Sequence, residues 1–415
     1  MIDIRFIRAN PELVKAAVQN KNEKADIDGI LALDEERRGL QFDFENLRAR
    51  QNQVSQEIAT IKRAKGDASQ LLQEMGEVAD KVKNLNQNLA EINQKLEAML
   101  LSVPNIPAAG VPVGKDESAN RVVRSWGEKP EFDFETKDHL TIAEANELLD
   151  LPRGAKISGS GFPVYKGLGA QLERALINYM LNYHIHHHHY TEVSVPLLVN
   201  RQTMIGTGQL PKLEDDMYHV DLDDLFLIPT AEVPVTNLYA NEVLPTDSLP
   251  IKHVAYTACF RREAGSYGKD TRGLQRLHQF NKVEIVRFVE PENSAEALQE
   301  MVQEAERILQ AFGLHYRVVE LATGDLSFAS EHTYDLEVWA PGTGRYLEVS
   351  SVSCFGDFQA RRAGIRYRAA DGKPAFLHTL NGSGLATPRL MIAILEHYQK
   401  QDGGVHFKDI LKVML

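Results

Sequence analysis

The sequence predicts an α+β chain in two parts, an N-terminal antiparallel two-helix coiled coil followed by a larger domain built on an antiparallel sheet. Three observations predict it. Apolar residues at heptad spacing flank one short break, a proline-rich stretch then ends the helical pattern, and several strand-like runs follow without intervening helices. At 415 residues the chain has room for two or three domains with sizeable cores.

The first helix is expected from the seven-residue recurrence of Leu33, Leu40, Leu47, Val54 and Ile61, with Phe44 and Ile58 at the alternate seam positions and Arg37 and Gln51 interrupting that row. The second is clearer. Leu71, Met75, Val78, Val82, Leu85, Leu89, Ile92, Leu96 and Met99 alternate spacings of four and three, which is a coiled-coil seam. The break between them, Lys65-Gly66-Asp67-Ala68, is short enough to force the helices antiparallel. The product is a hairpin of roughly 35 residues a side, about 50 Å long at 1.5 Å per residue. A dimerisation coiled coil or part of a larger bundle fits the seam alone equally well. From Ser102 to Pro112, three prolines and a glycine bar helix, so this stretch reads as a linker. Beyond it, helices are expected over Leu172–Tyr183 and Ala295–Phe312, and strands over Tyr316–Leu321 and Tyr334–Trp339.

Acidic residues outnumber basic ones, 58 to 46, for a net charge of −12, so bulk charge gives no hint of a nucleic-acid partner. Local charge differs. Near the hairpin tip lie Arg48, Arg50, Lys62, Arg63 and Lys65 against Glu57 alone, and a basic end on a rod suits a phosphate backbone. Only Cys259 and Cys354 occur, which excludes a disulfide framework and a Cys-rich zinc cage. The polar N-terminal stretch does not resemble a signal sequence, and no run approaches the ~18 apolar residues of a membrane span. A cytoplasmic protein without membrane association is therefore expected.

Two patterns are decoys. Gly159-Ser160-Gly161 and Gly167-Leu168-Gly169 lack the third glycine of a dinucleotide loop, and no phosphate loop ending in Gly-Lys-Ser/Thr occurs. The run His184-Ile185-His186-His187-His188-His189 closes a helical stretch, where imidazoles suit the helix C-terminus better than a metal. More informative is Phe260-Arg261-Arg262-Glu263-Ala264-Gly265-Ser266, then Arg272-Gly273, then Arg276-Leu277-His278-Gln279-Phe280-Asn281-Lys282-Val283-Glu284. A strand, a glycine-containing loop and a second strand would present guanidinium forks that match phosphate oxygens, an aromatic face that can stack a purine, and two carboxylates for amines or hydroxyls. A surface hairpin with ordinary ion pairs has the same spacing.

This stretch resembles motif 2 of class II aminoacyl-tRNA synthetases, in the form found in the seryl-tRNA synthetase family of bacterial and eukaryotic type. Other segments agree in order. Leu172 to Pro196 is similar to motif 1, the family's dimer interface, and Ile228-Pro229-Thr230-Ala231-Glu232 to its serine-binding loop. Glu348-Val349-Ser350-Ser351 and Asp357 to Arg362 resemble its metal and ATP strand, and His378 to Ser383 leading to Arg389 resembles motif 3. The resemblance runs from Met1 to Leu415. Departures are Tyr267, where the family usually has a small residue, and Cys354, in a variable segment.

The resemblance implies a class II catalytic domain over residues 111–415 and a tRNA-binding domain over 1–110, with its arm at about 27–100. It implies serine–tRNA ligation through seryl-adenylate. Arg261 and Arg389 are the expected catalytic residues, on the α-phosphate and serine carboxylate and on the γ-phosphate. ATP would also meet Arg262, Glu263, Arg276, Phe280, Glu348, Val349, Ser350 and Ser351, with Phe280 stacked on adenine. Serine would be read by Thr230, Ala231, Glu232, Arg261, Glu284, Asn381 and Ser383. Glu348 and Ser351 would hold Mg²⁺, and no zinc is expected. The implied partners are ATP, L-serine, tRNA(Ser) on Arg48, Arg50, Lys62, Arg63 and Lys65, and a second copy in a homodimer, with tRNA(Sec) a candidate second substrate. Two rival readings are an amino-acid:carrier-protein ligase, whose relatives lack the arm, and a non-catalytic tRNA-binding paralogue, which would have lost these charges.

Overall fold

A computed structural model of the chain describes residues 1–263 and 273–414. The Ala264-to-Ser266 part of the motif 2 stretch, Tyr267 and Arg272 lie outside the described residues. The chain forms two compact units, one of Ile2–Gln19 with Glu23–Pro104, the other of Asn105–Leu415 with Met1 and Asn20–Asn22.

In the smaller unit, α1 (Ile27–Arg63) and α2 (Ser69–Leu101) pack as an antiparallel pair. The seam follows the heptads. Val54, Ile58, Val78, Val82, Leu89, Ile92 and Leu96 are buried, while Arg37 and Gln51 occupy half-buried positions in the same row. Lys65 turns the chain with φ of 58°, and Asp67 accepts hydrogen bonds from the amide and hydroxyl of Ser69 as α2 begins. Burial of Asp34 is not written in the apolar pattern. It is fully buried and ion-paired with Arg8, Arg37 and Arg38, so three cations offset the cost of desolvating one carboxylate.

The larger unit carries an eight-stranded sheet. In chain order its strands are β1 (Arg121–Trp126), β2 (Thr191–Glu192), β3 (Ile251–Phe260), β4 (Gln279–Val289), β5 (Tyr316–Glu320), β6 (His332–Ala340), β7 (Arg345–Cys354) and β8 (His378–Ala386). Their order across the sheet is β1-β5-β6-β7-β8-β4-β3-β2. Every pairing is antiparallel except the short parallel β2–β3 contact at one edge. One face is covered by α3 (Leu168–His188), α4 (Ser294–Ala311) and α6 (Thr387–His397), whose apolar residues form the main core with Val283, Ile285, Leu336, Val352 and Leu380. Short α5 (Phe358–Ala363) packs with a second core cluster around Val286 and Phe288.

The stretch from Ser102 to Pro112 is non-helical, yet from Asn105 onward it is not a loose linker. The Asn105 side-chain amide donates to the carbonyls of Ala329 and Phe355, its backbone amide to Phe328, and the Ala108 amide to Glu331. Proline removes donors without preventing the remaining amides from being used, and that is why composition alone misjudged this segment.

Candidate active site

The opposite face of the sheet holds a cavity of about 780 Å³. Strand alternation explains its lining. Phe280, Lys282 and Glu284 occupy every second position of β4, and Asn381 and Ser383 do the same on β8. Glu348, Val349 and Ser351 come from β7, Thr230 and Glu232 from the loop beside β3, and Arg389 from the first turn of α6. Arg261, Glu263 and Arg276 line it just beyond the β3–β4 pair, in which Phe260 faces Gln279.

Three expected residues do not line it. Ala231 is fully buried in the second core cluster. Ser350 turns its hydroxyl to the carbonyl of Ser383 at 2.7 Å, locking β7 to β8. The Arg262 side chain is exposed, and its backbone amide donates to the carbonyl of Asp216.

The cavity's charges are largely paired with each other. Lys282 Nζ lies 2.5 Å from Glu284 Oε2 and donates to Thr230 Oγ1 at 2.9 Å. Arg276 pairs with Glu263 at 3.1 Å, and Glu263 has a left-handed φ of 51°. Arg389 reaches both the carboxylate and the carbonyl of Glu348, at 3.1 and 2.9 Å. Arg261 donates to the Pro229 carbonyl, with its guanidinium carbon 5.2 Å from the centre of the Phe280 ring. Glu232 accepts from Gln359 Nε2 at 2.6 Å, and Thr379 in turn donates to Gln359 Oε1. Burial, reinforced by the negative charge of Glu284, pushes the Glu232 carboxyl up to about 7.

Sequence reasoning missed Lys282, Gln359 and Asp335. The first was readable, because it stands two residues from both Phe280 and Glu284 on one strand face. Asp335 lies directly across from Ser351 in the β6–β7 pair. Burial and the nearby Glu348 hold its carboxyl well above the carboxylate range, and its Oδ1 has no hydrogen-bond partner among the described residues. Asp335 also lines a second cavity of about 830 Å³, together with Arg317, Asp325 and Glu337. Ser327, Glu348, Ser351 and Ser353 are common to both cavities.

Within the histidine run, His184 and His188 pack inward, whereas His186, His187 and His189 are exposed. His184 and His188 are buried with Nδ1 atoms 3.0 Å apart, and desolvation lowers them to about 4 and about 3. A Cβ on Gly384 would sit 2.7 Å from His184 Nε2, so glycine lets α3 approach β8. His189 ends the helix in a left-handed cap.

Comparison with known proteins gives one consistent family. Residues 1–107 match the family model for the seryl-tRNA synthetase N-terminal domain, and residues 214–398 match that for the class II tRNA synthetase core domain (G, H, P, S and T). A serine–tRNA ligase of Desulfitobacterium hafniense is 55% identical over 416 residues, covering 100% of this chain and 99% of that protein. The crystal structure of seryl-tRNA synthetase from Pyrococcus horikoshii complexed with ATP aligns with TM-score 0.93 and 37% identity over 100% and 98% of the two chains. A cytoplasmic serine–tRNA ligase from Naegleria fowleri in complex with AMP aligns at 0.88 and 26%, over 100% and 97%.

Proposed function

Because the chain belongs to the seryl-tRNA synthetase family of class II aminoacyl-tRNA synthetases, we propose that the 780 Å³ cavity is where serine meets ATP. The chain is a ligase that joins serine to tRNA and consumes ATP. One observation carries the assignment of the site: two strands, the segment that follows β3 and a helix start bring Arg261, Phe280, Glu284, Glu348 and Arg389 to one cavity.

Activation joins a serine carboxylate oxygen to the α-phosphorus of ATP and expels pyrophosphate. No protein nucleophile is needed, so the residues must position two mutually repelling anions and offset charge that grows in the transition state. Arg261 reaches the α-phosphate and serine carboxylate, Arg389 the γ-phosphate, and Arg276 assists. Phe280 offers its ring to adenine, with Glu263 beside the base. Glu232 and Thr230 take the serine ammonium, and Glu284 and Ser383 its hydroxyl. The carboxylate of Glu348 and hydroxyl of Ser351 are hard oxygen donors, and the unpartnered Asp335 oxygen lies across from Ser351. This donor set fits Mg²⁺, which when bound would neutralise phosphate charge. ATP and metal would each take one member of the Arg389–Glu348 pair.

The second step moves the seryl group to the 3′ end of tRNA, with Arg48, Arg50, Lys62, Arg63 and Lys65 meeting its backbone. Arg50 also braces the hairpin, because its Nη2 lies 2.7 Å from Glu74 on the other helix. We further propose a homodimer through α3 and a cytoplasmic location; no helix among the described residues is long and apolar enough to cross a membrane. ATP–pyrophosphate exchange with each of the twenty amino acids tests the reading. Serine alone should support exchange, after which tRNA(Ser) should be acylated, and parallel assays with tRNA(Sec) decide that second substrate. Exchange driven by another amino acid, or none, would refute the site assignment.

A further inference from the structure

Among the described residues, two groups of metal-ligating side chains lie outside the ATP cavity, and they differ in one respect. Around His184, His188 and Glu304 a cation is already present, since the Arg287 guanidinium contacts Glu304 at 2.6 Å and Glu300 at 2.5 Å. A divalent ion there would face a fixed positive charge. Among the described residues, no cation is paired with the second group, Glu331, Cys354 and His378. One potential ligand atom from each lies within 4.8 Å of the other two.

This group comes from the ends of three neighbouring strands. Glu331 immediately precedes β6, Cys354 ends β7 and His378 opens β8. The backbone fixes them, because the Glu331 amide donates to the Cys354 carbonyl at 2.8 Å and Cys354 pairs with Leu380. Ser353 and Asn381 line the ATP cavity, so by strand alternation Cys354 faces the other side of the sheet, where it joins the main core. Its thiol donates to Glu331 Oε1 at 3.2 Å. His378 Nδ1 is buried and has no hydrogen-bond partner among the described residues. Asp357 and Glu292 add negative charge near the imidazole.

We propose that Glu331, Cys354 and His378 form a binding site for one divalent transition-metal ion of the zinc type, on the face of the sheet opposite the ATP cavity. The donor chemistry suits it. Thiolate, imidazole and carboxylate are the three ligand types zinc takes, with bonds of about 2.0–2.3 Å and a fourth position left for water. Ligands around a tetrahedral ion of that size stand roughly 3.5 Å apart, so separations of up to 4.8 Å close with small side-chain rotations. Binding replaces the Cys354 S–H bond with a metal–sulfur bond and releases that proton to solvent. The thiolate, the carboxylate and a neutral imidazole then leave the ion electrically balanced, as a buried site requires. Burial lowers the His378 pKa, which favours the neutral ligand form, while burial and the adjacent Glu331 raise the Cys354 thiol, so the ion must displace a firmly held proton. The expectation of no zinc rested on the absence of a Cys-rich cage, whereas this set needs one cysteine.

The test is anaerobic titration of the full-length chain with Co²⁺, followed by displacement with Zn²⁺. One equivalent of Co²⁺ should give the near-ultraviolet thiolate-to-cobalt band with strong visible bands of tetrahedral coordination, and release one proton per ion. Cys354→Ser should remove the thiolate band while retaining serine-dependent pyrophosphate exchange, which reports that the variant is folded. Glu331→Gln, at the half-exposed rim, should weaken the metal at least about tenfold. The other cysteine, Cys259, is buried in β3, so a band surviving in Cys354→Ser would come from elsewhere and overturn the proposal. So would the absence of any thiolate band, or Co²⁺ affinity unchanged in Glu331→Gln.

Discussion

Glu232 takes its charge state from its surroundings rather than from solvent. Its folded pKa of about 7 lies above the ordinary 4.5, so the folded chain holds this proton more tightly than the unfolded one. Its contribution to stability therefore falls as pH rises from about 4.5 to about 7. Through the proposed ammonium contact serine binding should run the other way, because only the ionised carboxylate pairs with an ammonium group. The serine KM in pyrophosphate exchange should fall several-fold between roughly pH 6 and 8. Glu232→Gln should flatten that profile at a uniformly higher KM; an unchanged profile would remove Glu232 from the ammonium contact. Lys282 and Glu284 form a nearly buried pair, 8% and 1% exposed. Lys282→Met would leave a buried carboxylate without its cation and should cost about 3–5 kcal/mol in urea denaturation. Glu284→Ala should abolish serine-dependent exchange, since that carboxylate is assigned to the hydroxyl that distinguishes serine from alanine. Much of this was legible at residue scale, because Phe280, Lys282 and Glu284 share a strand face. Asp335 was not, since its role depends on which strand lies beside β7, a pairing that no local pattern encodes.

Among the elements, the two-helix arm and the α3–β8 contact make separable predictions. Lys62 and Arg63 are exposed near the α1–α2 turn. The double variant Lys62→Glu/Arg63→Glu should leave pyrophosphate exchange unchanged and raise the KM for tRNA(Ser) roughly tenfold, more steeply at low salt. Equal loss of both activities would end that division of labour. Where α3 meets β8, folded His184 and His188 stay neutral down to about 4 and about 3, while unfolded histidines titrate near 6.5. The unfolded chain thus binds more protons below pH 6.5, and each histidine lowers stability by up to about 1.4 kcal/mol per pH unit of acidification from there to its folded pKa. Thermal melts from pH 7 to 4.5 should reveal this, and His188→Asn should shallow the slope. Local periodicity made α1, α2 and α4 readable almost to their ends. It could not reveal that two histidines of the run point inward, because an imidazole suits a helix terminus as well as a core.

At the scale of the molecule, sequence order separated the heptad helices from the strand-rich region, and antiparallel pairing followed from strands succeeding one another without crossover helices. Net charge was a poorer guide, since a sum of −12 conceals both a basic helical tip and an arginine-lined cavity. A homodimer should sediment at about twice the 46.6 kDa chain mass, and a monomer at micromolar concentration would refute it. The common wall of the two cavities has a pharmacological consequence. Glu348, Ser351 and Ser353 face both spaces, and the second also presents Asp335 and Glu337. An adenylate mimic extended past that wall by a short amide tail, which both donates and accepts hydrogen bonds, would meet the Arg317–Glu337 ion pair, which neither substrate is assigned to touch. Its selectivity would then rest on a charged pair outside the substrate contacts, and Glu337→Gln should weaken the tailed compound while sparing the untailed parent.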